Sequence, residues 1–178
     1  MLETKKKERP TNWIIEQIKL IAPKRKIQIL DFASGNGRNS IHLAEKDKII
    51  AAIDKDSKRL DEYRKFNYIN TICFDLETDE EWPLKKDYFD IIIVVNYLYR
   101  PRIKNLISLL KTGGYLFYET FALGNEKYGS PKNPDYLLKD KELLNLFSKE
   151  NEILSYFNGM VTEEKISIKQ RCVIKKTS

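Results

Sequence analysis

Short apolar segments bounded by turn residues recur along the whole chain and predict strands. The segment FDIIIVV at 89–95 is apolar at nearly every position, which is typical of a central parallel strand covered on both faces. In the last such segment, Ile166, Ile168, Cys172 and Ile174 recur at a period of two, which indicates one buried face. The predicted strands are 27–32, 49–53, 68–74, 89–95, 115–119, 152–157 and 166–174.

Helical periodicity fills the intervals between these strands. Ile14, Ile18 and Ile21 share one helix face, and Pro23 follows as a stop. Further helices are predicted at 37–45, 57–66, 103–110 and 139–147, and Gly113-Gly114 is expected to end the third of these. Strands that alternate with helices predict an α/β fold with a mostly parallel sheet.

Carboxylates follow the first three predicted strands. Asp31, Asp54 and Asp75 each stand at the carboxyl end of a strand, or within it near that end. In open α/β sheets ligands bind beyond the carboxyl ends of the strands. The three acids are therefore expected to converge on one crevice.

A glycine turn, ASGNGR, comes directly after the first of these strands. Gly35 and Gly37 permit tight backbone geometry, and the helix that follows directs free N–H groups to the same place. An ordinary strand-to-helix turn that needs glycine is the structural alternative. Asp31 would repel the diphosphate of a nicotinamide dinucleotide, and Ser40 is a poor match for the third small residue of that pattern. A zwitterion such as the methionyl end of S-adenosylmethionine fits better, with its ammonium group towards Asp31.

The two later acids fit the remainder of such a ligand. A carboxylate about 20 residues beyond the turn can accept both ribose hydroxyls, which suits Asp54. Asp75 can accept from an adenine amino group, with Leu76 supplying a backbone donor or an apolar wall. The alternatives are a helix N-cap for Asp54 and an ordinary loop acid for Asp75.

Composition and charge exclude several classes of protein. The 178 residues are 42% hydrophobic and 33% charged, which is typical of a globular chain. No apolar run approaches the ~18 residues of a membrane span, and the segment MLETKKKERP lacks the apolar middle of a signal peptide. We therefore expect a cytoplasmic protein that makes no membrane contact.

The cysteines and the basic residues add little chemistry. Cys73 and Cys172 have no metal-type spacing, so no metal site is predicted and both are expected to be buried. The net charge of +6 comes mainly from lysine, with only eight arginines. Because base readout favours arginine, nucleic-acid binding is disfavoured, although the basic clusters at 5–9 and 24–26 leave it open.

Five segments in order, ILDFASGNGR, AAID, FDLE, FDIIIVVNYLYR and LLKTGGYLFYE, resemble the motifs of class I S-adenosylmethionine-dependent methyltransferases. The resemblance covers about residues 25–120. It implies a Rossmann-like three-layer sandwich with a seven-stranded, mostly parallel sheet whose last strand is antiparallel. It also implies that S-adenosylmethionine is the cofactor and that Ala33 replaces the first glycine of the family turn. The implied cofactor residues are Asp31, Ala33, Gly35 and Gly37 for the methionyl part, Asp54 for the ribose, Asp75 and Leu76 for the adenine, and Asn96 beside the sulfonium, together with Arg38 and Lys55.

A narrower resemblance is to small bacterial proteins labelled after tellurite-resistance methyltransferases. It rests on NYLYRP at 96–101 and ETFALGNE at 119–126. Many of these relatives have histidine where this chain has Tyr99, so the resemblance supplies no base. Glu119 is our candidate base, and His42, the only histidine, is expected to be structural and to face away from the acceptor.

The segment 120–138 has neither a helical nor a strand period, and compact domains seldom keep such a long loop without a purpose. It follows the fifth strand, so it can fold over the crevice and form the acceptor pocket. A purely structural loop is the alternative. The expected substrate residues are Tyr97, Tyr99, Arg100, Asn125, Glu126, Tyr128 and Tyr136.

These observations favour one methyltransferase domain over residues 1–178, with an N-terminal helix within 1–24 and a small-molecule acceptor. The alternatives are an RNA or protein methyltransferase, a cofactor-binding protein without turnover and, disfavoured by Asp31, a nicotinamide oxidoreductase. The oligomeric state is left open between monomer and homodimer.

Overall fold

A computed structural model describes residues 9–163 and 165–178 of the chain. The predicted N-terminal segment therefore lies partly outside the described residues. The same holds for the basic cluster at 5–9, of which only Arg9 is described.

The apolar segments form one seven-stranded sheet, in the order β3-β2-β1-β4-β5-β7-β6. β1 to β5 pair with one another in parallel, and β7 is antiparallel to both β5 and β6. The predicted fold class is confirmed. The strands are β1 (Ile27–Phe32), β2 (Lys48–Asp54), β3 (Ile69–Cys73), β4 (Phe89–Val95), β5 (Leu110–Phe121), β6 (Asn151–Val161) and β7 (Ser167–Lys176).

Five α-helices flank the sheet within the described residues. They are α1 (Asn12–Ile21), α2 (Arg38–Leu43), α3 (Ser57–Tyr63), α4 (Leu106–Leu109) and α5 (Glu142–Phe147). Short 3₁₀ turns occupy Arg100–Asn105, Asn125–Lys127 and Pro134–Tyr136. No helix of the described chain is both long enough and apolar enough to cross a bilayer.

The expectation that Gly113-Gly114 ends a helix is wrong. Helix α4 ends at Leu109, and β5 already begins at Leu110. The pairing with β4 shifts from Phe89 opposite Leu110 to Ile91 opposite Tyr115, so the glycines lie in an irregular stretch of strand. A Cβ on Gly114 would lie 3.0 Å from the carbonyl oxygen of Asp90, so this close approach of two strands requires glycine.

The sheet buries a hydrophobic core on each face. One face packs against α1, α2 and α3 through Ile14, Ile18, Leu60 and Tyr63. The other packs against α4 and α5, with Leu106, Leu143 and Phe147 among the buried residues. This arrangement gives the three layers that the sequence pattern predicts.

The two ends of the parallel strands differ in chemistry. His42, Lys24 and Arg25 line a cavity beside the start of β1, at the amino ends of these strands. The acids and the glycine turn lie at the opposite end, where the carboxyl ends of β1, β2, β4 and β5 meet the start of β7. His42 is exposed and lies away from the carboxyl ends, as expected.

The two cysteines differ in burial. Cys172 is buried, but Cys73 is exposed, because it is the last residue of β3, an outer strand of the sheet. The predicted burial of Cys73 is therefore wrong.

Candidate active site

The glycine turn after β1 is left-handed at three positions. The φ angles are +57° at Ala33, +55° at Gly35 and +68° at Gly37. A Cβ on Gly37 would come within 2.7 Å of the ring of Tyr63, which is fully buried. Glycine at this position is therefore required both by the backbone and by packing against α3.

Most N–H groups of the turn already have protein partners. The amide of Ser34 donates to the carbonyl of Ile53 (3.0 Å), and that of Gly37 donates to the carbonyl of Ser34 (2.9 Å). The amide of Gly35 donates to Oδ2 of Asp54 (2.8 Å). These three amides are therefore already satisfied within the protein and have little capacity to bind a ligand carboxylate.

Tyr63 supports the turn from below. Its hydroxyl lies 2.8 Å from Oγ of Ser34 and donates to the carbonyl of Gly35 (3.4 Å). Burial raises the pKa of this phenol. Tyr63 lies within the predicted helix 57–66, and its role beneath the turn was not predicted.

Asp31 is buried near the carboxyl end of β1, beside the glycine turn, with 2% of its surface exposed. Its Oδ2 accepts hydrogen bonds from the backbone N–H (3.1 Å) and the hydroxyl (2.6 Å) of Ser40, in the first turn of α2. Burial raises the pKa of Asp31 to about 7, although the bonds from Ser40 oppose the shift. A carboxylate in this environment gains strongly from a nearby cationic ligand group.

Asp54 and Asp75 are partly exposed and differ in their contacts. Asp54 binds the turn through Oδ2 and accepts from the N–H of Asp56 through Oδ1 (3.0 Å). Asp56 is the N-cap of α3, so that alternative for Asp54 is excluded. Asp75 accepts from the N–H of Glu77 and lies 3.9 Å from Nζ of Lys55.

A central crevice of about 670 Å³ opens above the turn. Its lining includes six of the predicted cofactor residues: Asp31, Ala33, Gly35, Arg38, Asp54 and Asn96. Gly37, Lys55, Asp75 and Leu76 are outside the lining. The side chain of Leu76 lies in the core, and its carbonyl accepts from the indole of Trp82 (3.2 Å), so it offers no side-chain wall to a ligand.

A second cavity of about 520 Å³, which we call the β7 cavity, lies on the α1 side of the sheet. Glu119 of β5 is 1% exposed at its base. Its two oxygens accept from Nζ of Lys169 (2.6 Å) and Nε of Arg171 (2.6 Å), both on β7. These two ion pairs occupy both oxygens and disfavour Glu119 as a base, a role that stays a prediction.

The predicted substrate residues separate into lining residues and anchors. Asn125 and Tyr128 line the β7 cavity, although both polar ends of the buried Asn125 amide are bonded, to the N–H of Ile168 and the carbonyl of Pro131. Tyr136, which is 54% exposed, lines a smaller cavity of about 290 Å³ together with Tyr97.

Arg100 fastens the loop that follows β5 and is not in the lining of the three cavities described above. Its Nε and Nη2 form a bidentate pair with Glu142 of α5 (2.6 and 3.0 Å). Its Nη2 also donates to the carbonyl of Leu137 (2.8 Å), and Nη1 donates to that of Asp135. The geometry therefore assigns Arg100 an anchoring role.

Tyr99 and Glu126 also have structural contacts. The hydroxyl of Tyr99 donates to the carbonyl of Glu77 (3.1 Å), and Oε2 of Glu126 accepts from the N–H of Gly124 (2.8 Å). Tyr97 differs, because its buried hydroxyl has no hydrogen-bond partner in the part of the chain that is described.

Several site residues could not be found from the sequence. Ser40, Lys169 and Arg171 act through contacts nine to 52 positions away along the chain. Only β7 carried a usable signal, since its alternation placed Lys169 and Arg171 on one face.

Comparison with known proteins agrees with this geometry. Residues 29–114, which include the glycine turn and Asn96, match the family described as methyltransferase domain. A comparison with curated proteins gives no match.

Solved structures share the fold at low sequence identity. TehB from Haemophilus influenzae aligns at 20% identity and a TM-score of 0.73, over 94% of this chain and 62% of TehB. A SAM-dependent methyltransferase from Methanosarcina mazei aligns at 16% identity and a TM-score of 0.69, over 94% of this chain and 99% of that protein. A TehB-like SAM-dependent methyltransferase from Corynebacterium glutamicum gives 19% and 0.66, over 91% and 86%. The chain thus spans less than two thirds of TehB.

The matched domain, the strand order and the acid-bearing glycine turn agree with one another. Residues 29–114 thus match a methyltransferase domain, and the described chain has the fold of solved S-adenosylmethionine-dependent methyltransferases.

Proposed function

We propose that the chain transfers the methyl group of S-adenosylmethionine to a small molecule bound in the β7 cavity. The observation that carries the proposal is the position of Asn96. This residue lines the central crevice and the β7 cavity, and it also lines the smaller cavity at Tyr136. A donor in the crevice and an acceptor in the cavity would meet at Asn96.

The backbone fixes Asn96 at this junction. Its φ is +56°, a conformation that asparagine tolerates better than most residues. Its N–H donates to the carbonyl of Glu119 (2.8 Å), which continues the pairing of β4 with β5 beyond the last strand residue. The side chain is exposed to the cavities, so it can contact ligands on both sides.

The lining of the crevice fits S-adenosylmethionine. Asp31 would hold the ammonium group, because a cation there compensates the unfavourable burial of its charge. Asp54 stands at the end of β2, where a carboxylate can accept ribose hydroxyls. Guanidinium groups of Arg9, Arg38 and Arg59 line the same crevice and suit the ligand carboxylate.

The chemistry asked of the protein is mainly alignment. S-adenosylmethionine supplies, when bound, a methyl group already activated on a cationic sulfur. The chain has to orient the acceptor and exclude water, and alignment alone can contribute ~7–11 kcal/mol to the barrier. Glu119 then has a positioning role, because it holds Lys169 and Arg171 at the base of the β7 cavity.

The size and placement of the cavities favour a small acceptor over RNA or protein. The β7 cavity falls within the ~300–1,000 Å³ range of small-molecule sites. The basic cluster at 24–26 precedes β1 at the amino ends of the parallel strands, opposite the crevice, and Arg25 is paired there with Asp90 (2.7 Å). A polymer bound there would be remote from Asn96.

Two measurements test the proposal. Calorimetric titration should show binding of S-adenosylmethionine and none of NAD, and the reverse would reject the cofactor. Incubation with methyl-labelled S-adenosylmethionine and a fractionated cell extract should then label a small-molecule fraction. Label in RNA or protein would favour the polymer alternative, and cofactor binding without any label would favour a protein without turnover.

A further inference from the structure

One residue that lines the β7 cavity carries a buried hydroxyl group that has no partner within the described residues. Thr11 is the N-cap of α1 and is 4% exposed, yet its side chain makes no capping hydrogen bond. Its Oγ1 has no hydrogen-bond partner within the described residues. Thr11 lines the cavity, and an unpaired buried hydroxyl is rare in folded proteins, so this atom points to a ligand group.

The first turn of α1 brings backbone donors to the same place. The N–H of Thr11 donates to Oδ1 of Asn39 (2.9 Å), and the N–H of Ile15 donates to the carbonyl of Thr11 (3.2 Å). The N–H groups of residues 12–14 precede the first intrahelical bond and have no carbonyl within the helix. At the start of a ten-residue helix, such donors and the helix dipole favour an anion.

The charged side chains of the cavity favour the same sign. Among the described lining residues, Lys165, Lys169 and Arg171 outnumber Glu119 and Glu163 by one charge. Both oxygens of Glu119 already accept from Lys169 and Arg171. The ammonium group of Lys169 has three N–H donors, and Glu119 accepts from only one of them. The cavity thus offers donors to a ligand and space for one negative charge.

Part of the lining is apolar or aromatic. Phe121, Tyr128, Val161 and Ile166 contribute to the wall of the cavity of about 520 Å³. A free inorganic oxyanion would leave these side chains uncovered, whereas an organic body would bury them. The excess of one positive charge matches a monoanion better than a phosphate monoester.

We propose that the acceptor is a small organic carboxylate, whose carboxylate group binds Thr11, the first turn of α1 and Lys169. The body of the acceptor covers the apolar wall and presents its nucleophile towards Asn96. This inference rests on the proposed function, since it names the substrate class of that same site.

A set of four probes tests the carboxylate directly. Calorimetric titrations with S-adenosylhomocysteine present would compare 3-phenylpropanoate, 3-phenylpropanamide, 3-phenylpropylamine and inorganic phosphate. 3-Phenylpropanoate should bind at least about tenfold more tightly than each of the other three probes, because it alone combines a negatively charged hydrogen-bond acceptor with an apolar body. No preference for the carboxylate, or equal binding of phosphate, would overturn the proposal.

Substitutions at Thr11 locate the binding group. Thr11→Val should weaken 3-phenylpropanoate about tenfold, whereas Thr11→Ser, which keeps the hydroxyl, should bind like the wild type. Thr112→Val, at an exposed site near the start of β5, is the matched control and should change nothing. Unchanged affinity in a folded Thr11→Val protein would overturn the assignment.

The same titrations separate this proposal from the proposed function. If S-adenosylmethionine binds and no carboxylate preference exists, only the acceptor class fails. If S-adenosylmethionine itself does not bind, the methyltransferase proposal fails, whatever the probes do.

Discussion

Replacing Asp31 with asparagine should make the fold more stable and the cofactor site weaker. The carboxylate is 2% exposed and is bound by the N–H and the hydroxyl of Ser40, which both donate to Oδ2. Asparagine can accept these bonds through its own oxygen while its amide group replaces the second carboxylate oxygen. The substitution thus preserves the shape and removes the buried charge.

The magnitude follows from the pKa of Asp31, which burial raises from 3.8 to about 7. Because the folded chain binds this proton more tightly than the unfolded chain, the stabilisation is complete below pH 3.8 and is lost as the pH rises through 7. At about 1.4 kcal/mol per pH unit, the loss by pH 8 is about 4 kcal/mol. Asparagine avoids this loss but accepts weaker hydrogen bonds, so we expect a net gain of about 1–3 kcal/mol.

Binding should change in the opposite direction. A cationic ligand group needs the ionised carboxylate, so wild-type affinity for S-adenosylmethionine should rise roughly eightfold between pH 6 and 7.5. Asp31→Asn should bind about 10- to 100-fold more weakly at pH 7.5 and lose this pH dependence.

Urea denaturation at pH 6 and 8 and calorimetric titration measure the two effects. Asp79→Asn, at an exposed position, is the matched control and should leave both unchanged. A less stable Asp31→Asn protein with unchanged affinity would refute the reasoning, because the carboxylate would then serve the fold and not the ligand.

Three further predictions concern packing, the loop and Glu119. Gly37→Ala should lower the free energy of unfolding by about 3 kcal/mol, since its Cβ would lie 2.7 Å from the ring of Tyr63, whereas Gly113→Ala, left-handed but with open space around it, should lower it by about 1 kcal/mol. Equal losses in urea would contradict this steric argument. Arg100→Lys should speed tryptic cleavage of the loop between β5 and α5 without changing cofactor affinity, because lysine cannot form the bidentate pair; an unchanged cleavage rate would mean that other contacts hold the loop. Glu119→Gln should cost about 3 kcal/mol, because it removes the counter-charge of Lys169 and one of the two carboxylates paired with Arg171. Its folded fraction should keep the wild-type pH–rate profile. Loss of the acidic limb of that profile would instead support Glu119 as the base.

The elements that the sequence predicted well are those whose signal is local. The continuous apolar run of β4 and the alternation of β7 depend only on which faces are buried, so they appear in the sequence as periodicity. The glycine turn was equally legible, because its φ angles require small residues. Gly113-Gly114 was misread, since its reason is the approach of β4, which local sequence does not reveal.

The acceptor side was less predictable because its contacts are long-range. Residues were assigned to it for being polar and near a strand end, and several proved to be bonded within the protein. Arg100 illustrates this, because its partner Glu142 is 42 positions away on another helix. The converse holds for Thr11, whose importance comes from a missing bond that only the three-dimensional structure can reveal.

The sequence argument for a zwitterion over a diphosphate relied on the charge of Asp31, and the structure adds a second carboxylate beside the same turn. The amide of Gly35 donates to Asp54, and those of Ser34 and Gly37 donate to carbonyls. A diphosphate would therefore find few free amides in the turn and, besides the arginines of the crevice, two carboxylates, Asp31 and Asp54. A ligand with an ammonium group and ribose hydroxyls supplies the donors that these carboxylates lack. We therefore expect any discrimination against dinucleotides to depend on both acids, with Asp54 held in place by the amide of Gly35.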